Sequence, residues 1–214
     1  MSSPARIVSV NVGTPREVEW FGRTVRTAIW KEPVTRRVPV HGVNLDGDDQ
    51  ADRRVHGGAD KAVYSYAAED DAWWSDRLGR ALGPGTFGEN LTTEGIDLTD
   101  AWIGERWQVG TVVLEVSQPR EPCFKLGMRM GDAGFVDEFA AAGRPGAYLR
   151  IVEAGTLGAG DPVTVVDRPA TRLTIGELAS AGHSDDPELL RRIVAHDAVP
   201  DGWRRHALRA LRHR

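Results

Sequence analysis

Cys123 is the only cysteine among 214 residues, and it lies in the run Gln118-Pro119-Arg120-Glu121-Pro122-Cys123-Phe124-Lys125. The prolines hold that segment extended after a strand. Arg120 and Lys125 bring positive charge near the sulfur, which favours thiolate over thiol. A thiolate is both a nucleophile and a soft metal ligand. A lone cysteine also serves as a small buried hydrophobe, and the residues by themselves leave both roles open. His56-Gly57-Gly58-Ala59-Asp60-Lys61 is a second stretch with chemistry in it. Consecutive glycines expose backbone N–H groups that form an anion-binding nest, and Lys61 adds charge; a plain glycine turn with an exposed lysine has the same spelling. Phe87-Gly88-Glu89-Asn90-Leu91 is a third polar loop, in which Asn90 offers both a donor and an acceptor. Of the 27 basic residues only Lys31, Lys61 and Lys125 are lysines. Arginine is the default cation of this chain, and a compact ammonium is not interchangeable with a planar guanidinium, so the lysines stand out.

Other chemistries find no support. Gly83-Pro84-Gly85-Thr86-Phe87-Gly88 spells G-x-G-x-x-G, but a dinucleotide site needs a strand before it and a helix after it. Here a helix pattern precedes the glycines, so the segment is read as a loop. The six histidines contain no His-Glu-x-x-His, and one cysteine makes no Cys-x-x-Cys zinc site. Neither a Walker phosphate loop nor a nucleophile elbow is present.

The elements that must position these residues are mostly strands up to about residue 167. Ile7 to Val12 alternates, which predicts Val8, Val10 and Val12 on one face. Thr24 to Lys31 places Val25, Thr27 and Ile29 together, with Lys31 ending the row. Val112, Leu114 and Val116 repeat the pattern, as do Leu149 with Ile151 and Val163 with Val165. Period-two runs between glycine-rich turns predict a barrel-like antiparallel or mixed sheet. Glu69 to Leu82 has helical spacing and stops at Gly83-Pro84; Phe135 to Ala142 is a shorter helix stopped by Gly143. After Asp167 the texture turns helical. Thr174-Ile175-Gly176-Glu177 spells a capping box, Asp186-Pro187 a cap followed by a first-turn proline, and Pro200 precedes a run with Trp203, Ala207 and Leu211 on one side. The expected fold is β-rich α+β: a barrel-like domain over 1–167 and a three-helix appendage over 168–214.

Composition bounds the rest. Hydrophobic residues make up 41% and charged residues 27%, enough to build a core. No apolar run approaches the roughly 18 residues of a membrane span, the first residues do not spell a signal peptide, and a lone cysteine suits a reducing compartment. A cytoplasmic protein with no membrane partner is expected. The net charge of -4 argues against a general nucleic-acid binder. The basic tail with Arg204, Arg205, Arg209, Arg212 and Arg214 has the charge to contact nucleic acid, but reads first as the solvated face of a helix whose C-terminal dipole favours cations.

Taken in order, these segments resemble the MOSC family, the molybdenum cofactor sulfurase C-terminal domain, and within it the YiiM-like branch. The matching pieces are Lys31; Gly47-Asp48 and Gln50-Ala51-Asp52; His56-Gly57-Gly58 with Asp60-Lys61-Ala62-Val63-Tyr64; Phe87 to Thr92; Ile103-Gly104; and Val116 to Arg120 with Pro122-Cys123 and Lys125-Leu126. The resemblance covers most of residues 5 to 167, and the helical tail is similar to that branch's appendage. It implies a barrel-like domain that holds the molybdenum cofactor, a pterin dithiolene carrying a phosphate, with Cys123 as metal ligand and catalytic centre. Lys31, Lys61, Arg120, Lys125, the His56-Gly57-Gly58 loop and Asn90 are the implied grip on pterin and phosphate. The implied reaction is reduction of N-hydroxylated bases such as 6-hydroxylaminopurine, a detoxification.

Taking oxygen from an N-hydroxyl group requires two electrons and two protons and leaves amine and water. An unperturbed imidazole changes charge near neutral pH, so His56 fits either a catalytic proton donor or an anion-holding residue. With no flavin or iron–sulfur motif in the sequence, a separate electron-donating reductase is the implied partner, and a homodimer is an assembly left open. The family also contains sulfur carriers, so a non-catalytic carrier of sulfur or cofactor through a persulfide on Cys123 is the alternative. Trp73-Trp74 has no role at this stage beyond packing.

Overall fold

A computed structural model describes residues 4–51 and 57–213. In chain order the first strands are β1 (Arg6–Val12), β2 (Arg16–Trp20), β3 (Arg23–Thr27), β4 (Glu32–Val34), β5 (Val38–His41) and β6 (Asn44–Leu45). A single 3-10 turn (Ala59–Lys61) leads into β7 (Val63–Ala67), α1 (Ala68–Leu78), β8 (Leu91–Glu94), β9 (Arg106–Val109) and β10 (Val112–Pro119). Then come α2 (Phe124–Met130), α3 (Phe135–Ala141), β11 (Ala147–Glu153), β12 (Gly155–Leu157) and β13 (Val163–Asp167). The chain finishes with α4 (Ile175–Ser180), α5 (Pro187–Ala195) and α6 (Asp201–Arg212).

Eight strands form one mixed sheet in the order β13-β9-β10-β11-β7-β8-β1-β4. Among the described residues only the β7–β8 pair is parallel, with α1 as its crossover. The ladder does not run continuously around a closed barrel. Three backbone hydrogen bonds cross the seam between β1 and the entry to β13: Ile7 N–H to Asp161, Gly160 N–H to Ile7 and Val163 N–H to Ala5, each 2.8–2.9 Å. The fold is thus the β-rich α+β architecture that the alternating pattern predicts, with a barrel-like curl.

Local details depart from the simple alternation. In β1 the register shifts between Ile7 and Ser9. That bulge turns Ile7 and Val10 inward and leaves Val8 36% exposed, so Val8 does not share a face with Val10 as period two predicts. The strand read over Thr24 to Lys31 stops at Thr27, because β3 belongs to a separate hairpin with β2. Phe21 and Gly22 at its tip both have positive φ, 48° and 70°, the requirement of a tight two-residue turn. Helix α1 ends at Gly79, which adopts the left-handed conformation, four residues before the Gly83-Pro84 stop read from the sequence.

The C-terminal helices form where their caps predict. Thr174 Oγ1 accepts the Glu177 N–H at 3.1 Å while the Glu177 carboxylate accepts the Thr174 N–H at 2.8 Å. Asp186 caps α5 through the Glu188 N–H at 2.9 Å. The buried residues Leu178, Leu190, Ile193 and Trp203 join one cluster with the strand residues Val109, Leu114 and Val116, so these helices share the sheet's core. Each fully buried aliphatic side chain is worth about 1.5–3 kcal/mol. A second core gathers Tyr64 and Tyr66 of β7 with residues of α1, α2 and α3. Trp74 stacks on Phe139 with centroids 5.9 Å apart and donates its indole N–H to Tyr66 at 2.9 Å, with Phe87 and Phe135 against it.

Candidate functional site

The end of β10 carries the chemistry to the surface. Its pairing with β11 shifts register between Val116 and Gln118, a local irregularity of the kind that re-aims side chains. The chain then passes through Pro119 to Pro122, and Cys123 takes an extended conformation as the residue before α2. Leu126, fully buried, anchors that short helix. Cys123 is half-buried and lines a narrow cleft of about 90 Å³ that opens to solvent.

All three lysines reach this cleft. Lys31, Lys61 and Lys125 line it together with Arg120, Cys123 and Asn90. Arg120 is 8% exposed. It donates to the Phe87 carbonyl, and its guanidinium lies 5.0 Å from the centroid of Tyr64 and 5.9 Å from that of Phe139. No carboxylate pairs with it among the described residues. Burial works against its charge and is outweighed by Tyr64, Tyr148 and Cys123, so its pKa is held up. A desolvated cation supported by ring faces rather than by a counter-ion leaves charge to be met by an anionic ligand.

Lys31 is in a different state. Its Nζ sits 2.5 Å from Asp48 Oδ1, with side chains 8% and 1% exposed. Burial pulls the Lys31 pKa down and Asp48 pulls it back up. Asp48 also accepts the Gly13 N–H at 2.8 Å and the Asn90 amide at 3.0 Å. Asn90 takes the Tyr64 N–H at 3.1 Å on its carbonyl oxygen and donates to Asn11 at 3.3 Å. The amide of Asn90 is therefore committed to joining β1, β7 and Asp48, and what it presents to the cleft is shape. Glycines bring the loop 85–88 against Lys31: a Cβ on Gly85 would lie 2.3 Å from the Lys31 carbonyl oxygen, and one on Gly88 would lie 2.8 Å from Ile29. Both have positive φ, 82° and 76°. The buried carboxylate of Glu89 ties this loop by accepting the N–H groups of Gly85 and Phe87 and the Thr92 hydroxyl.

Gly57 and Gly58 line a neighbouring cleft instead, with Lys61 shared between the two. His56, the sequence's candidate proton donor, falls outside the described residues. Sequence reasoning misses Tyr64 and Tyr148 as site residues. Tyr64 stands inside a matched motif, whereas Tyr148 has no local signal. Cross-strand pairing puts them side by side, with centroids 5.0 Å apart. Burial raises both phenol pKa values while Arg120 opposes the rise, so both stay protonated. Tyr64 donates to the Pro145 carbonyl at 2.8 Å; the Tyr148 hydroxyl makes no hydrogen bond among the described residues.

The family model described as the MOSC domain matches residues 52–164, more than half of the chain. The chain belongs to the MOSC family. Within that family this MOSC protein is 34% identical over 200 residues to protein YflK of Bacillus subtilis, covering 92% of this chain and 90% of the relative. It superposes on the crystal structure of YiiM from Geobacillus stearothermophilus with a TM-score of 0.81 at 30% identity, covering 97% and 100% of the two chains. A protein of Gibberella moniliformis named reductase is 30% identical over 164 residues, 72% of this chain but 28% of that longer protein. Among the described residues no helix is long and apolar enough to cross a membrane.

Proposed function

We propose that this protein is a molybdenum-cofactor-dependent oxidoreductase that reduces N-hydroxylated compounds, with base analogues such as 6-hydroxylaminopurine as the substrate class. One observation carries the reading: the single cysteine sulfur shares a cleft with every lysine of the chain and with the buried Arg120, which no carboxylate pairs among the described residues. That set suits the cofactor. Cys123 is the soft ligand for the metal, and Lys61, Lys125 and Arg120 complement an anionic pterin phosphate. Lys31, already paired with Asp48, adds to the field of the cleft. When bound, the cofactor supplies two-electron oxygen-atom chemistry.

The chain's own residues orient and solvate the reaction. Tyr148, kept neutral by burial, offers its hydroxyl as a hydrogen-bond donor to the substrate's N-hydroxyl oxygen. Ile29, Ala28 and the face of Tyr64 give the base an apolar wall. Electrons come from a separate reductase in a cytoplasmic setting. The reductase-named relative, in which the matching region is 28% of a longer chain, supports a partnership of this domain with a reductase.

The test is turnover of 6-hydroxylaminopurine with a chemical reductant, using protein from a host that makes the cofactor. Reduction to adenine by the wild type and its loss in Tyr148→Phe or Cys123→Ala is expected. A metal-free protein carrying a persulfide on Cys123, with no turnover, would assign the carrier role instead.

A further inference from the structure

Two features that the Cys123 cleft leaves unused meet in the adjoining one. Gly57, Gly58 and the α6 residues Arg205 and Arg209 line a second cleft of about 700 Å³, between the 59–61 turn, the end of β10 and the helical tail. Gly202, Arg205, His206 and Arg209 follow one another at helical spacing and form its α6 wall. Arg205 and Arg209 are exposed to it. Neither forms an ion pair among the described residues, whereas Arg150, Arg168, Arg172 and Arg192 of the surrounding elements all do. Two carboxylates lie on the opposite wall. Asp60 is taken by Arg150 at 2.7 Å, which leaves Glu121 as the lining carboxylate that faces Arg205 and Arg209.

The walls are pinned. Trp203 donates its indole N–H to Gln118 at 2.9 Å, and Gln118 donates to the Asp60 carbonyl at 3.2 Å, so α6, β10 and the glycine turn hold a fixed separation. Gly58 has φ of 93°, a left-handed conformation that favours glycine at this point of the wall. The segment leaving β10 divides the two clefts: Arg120 and Cys123 face one, Gln118 and Glu121 the other, and Lys61 belongs to both.

We propose that the second cleft binds the phosphate of a phosphorylated small molecule, and that substrates are taken as nucleotides, the base beside Cys123 and the phosphate against Arg205, His206 and Arg209. Guanidinium forks and backbone N–H groups are the groups that recognise a phosphate. The concave shape and the Glu121 carboxylate oppose a continuous polyanion. The base half of this inference rests on the function proposed above; the phosphate half does not.

The test is equilibrium binding to metal-free protein, by calorimetry, with adenosine 5′-monophosphate, adenosine and inorganic phosphate as probes. The monophosphate is expected to bind at least about tenfold tighter than adenosine, the gain of one charge-assisted contact. Inorganic phosphate should displace it, and added salt should weaken it. The double variant Arg205→Gln/Arg209→Gln, whose side chains are exposed, should lose that preference, and Cys123→Ala should keep it. Equal affinity for nucleotide and nucleoside, or a preference that survives the double variant, would overturn the proposal. So would tighter binding of a short single-stranded oligonucleotide than of the monophosphate. Failure here sinks the phosphate site alone, because no metal enters the measurement; failure to retain molybdenum sinks the Cys123 reading alone.

Discussion

Asp48→Asn isolates the strongest electrostatic element under the site. In the wild type Lys31 and Asp48 form an ion pair at 2.5 Å with side chains only 8% and 1% exposed. Removing one member of a buried pair leaves an uncompensated charge and costs about 3–5 kcal/mol. For a chain of this size each kcal/mol lowers Tm by roughly 2–4 °C, so a fall of roughly 6–20 °C is expected. Adding Lys31→Met removes the stranded ammonium, while the amide that replaces the Asp48 carboxylate keeps an oxygen for Gly13 or Asn90, so the double variant should recover most of the loss. The pH response fixes the mechanism. Burial lowers the folded-state pKa of Lys31, so between that value and the ordinary lysine value the unfolded chain binds more protons, and stability rises with pH. Without Asp48 that window opens at lower pH, and the single variant should gain stability on alkalinisation more steeply than the wild type. Urea unfolding followed by tryptophan fluorescence across pH 6 to 10 measures both effects. A loss below about 1 kcal/mol, or a double variant no better than Asp48→Asn alone, would refute the reasoning.

Asp71 is buried beside Glu89 and Asp70, its Oδ1 has no hydrogen-bond partner among the described residues, and burial pushes its pKa up to about 8. The folded state holds a proton that the unfolded state has released, so stability falls as pH rises from about 4 to about 8. Asp71→Asn should flatten that dependence and stabilise the protein at pH 8 by up to several kcal/mol, at about 1.4 kcal/mol per pKa unit; an unchanged pH profile in thermal melts would contradict it. Gly85→Ala combines a positive φ with a contact at 2.3 Å to the Lys31 carbonyl. It should destabilise by about 2–4 kcal/mol and weaken cofactor retention by displacing Lys31, both readable from Tm and metal content.

Much of this was legible because its causes are local. The capping box at Thr174 and the Asp186-Pro187 start are spelled in four residues or fewer, and α4 and α5 begin there. The rarity of lysine pointed to three side chains that converge on one cleft. What was not legible is long-range. Asp48 lies 17 residues from Lys31 and meets it only through folding. Tyr148 reaches the cleft because β11 pairs with β7. Helix α2 starts without a side-chain cap, contains Gly127 and spans seven residues, so neither cap nor periodicity announced it. Trp74 gains its role through Tyr66 and Phe139 from other elements. The resemblance implies that the glycine pair grips the pterin and its phosphate; in the fold these glycines line the cleft that adjoins the sulfur's and shares Lys61 with it.

Molybdenum content bears on the central claim most directly. Wild type and Cys123→Ala, purified in parallel from a cofactor-competent host, are compared by elemental analysis and by thermal melting. Because Cys123 is only half-buried, the variant should fold with a Tm within a few degrees of the wild type, while molybdenum falls from near stoichiometric to background. Equal metal in both proteins, or none in the wild type, would contradict the assignment of that sulfur as the ligand.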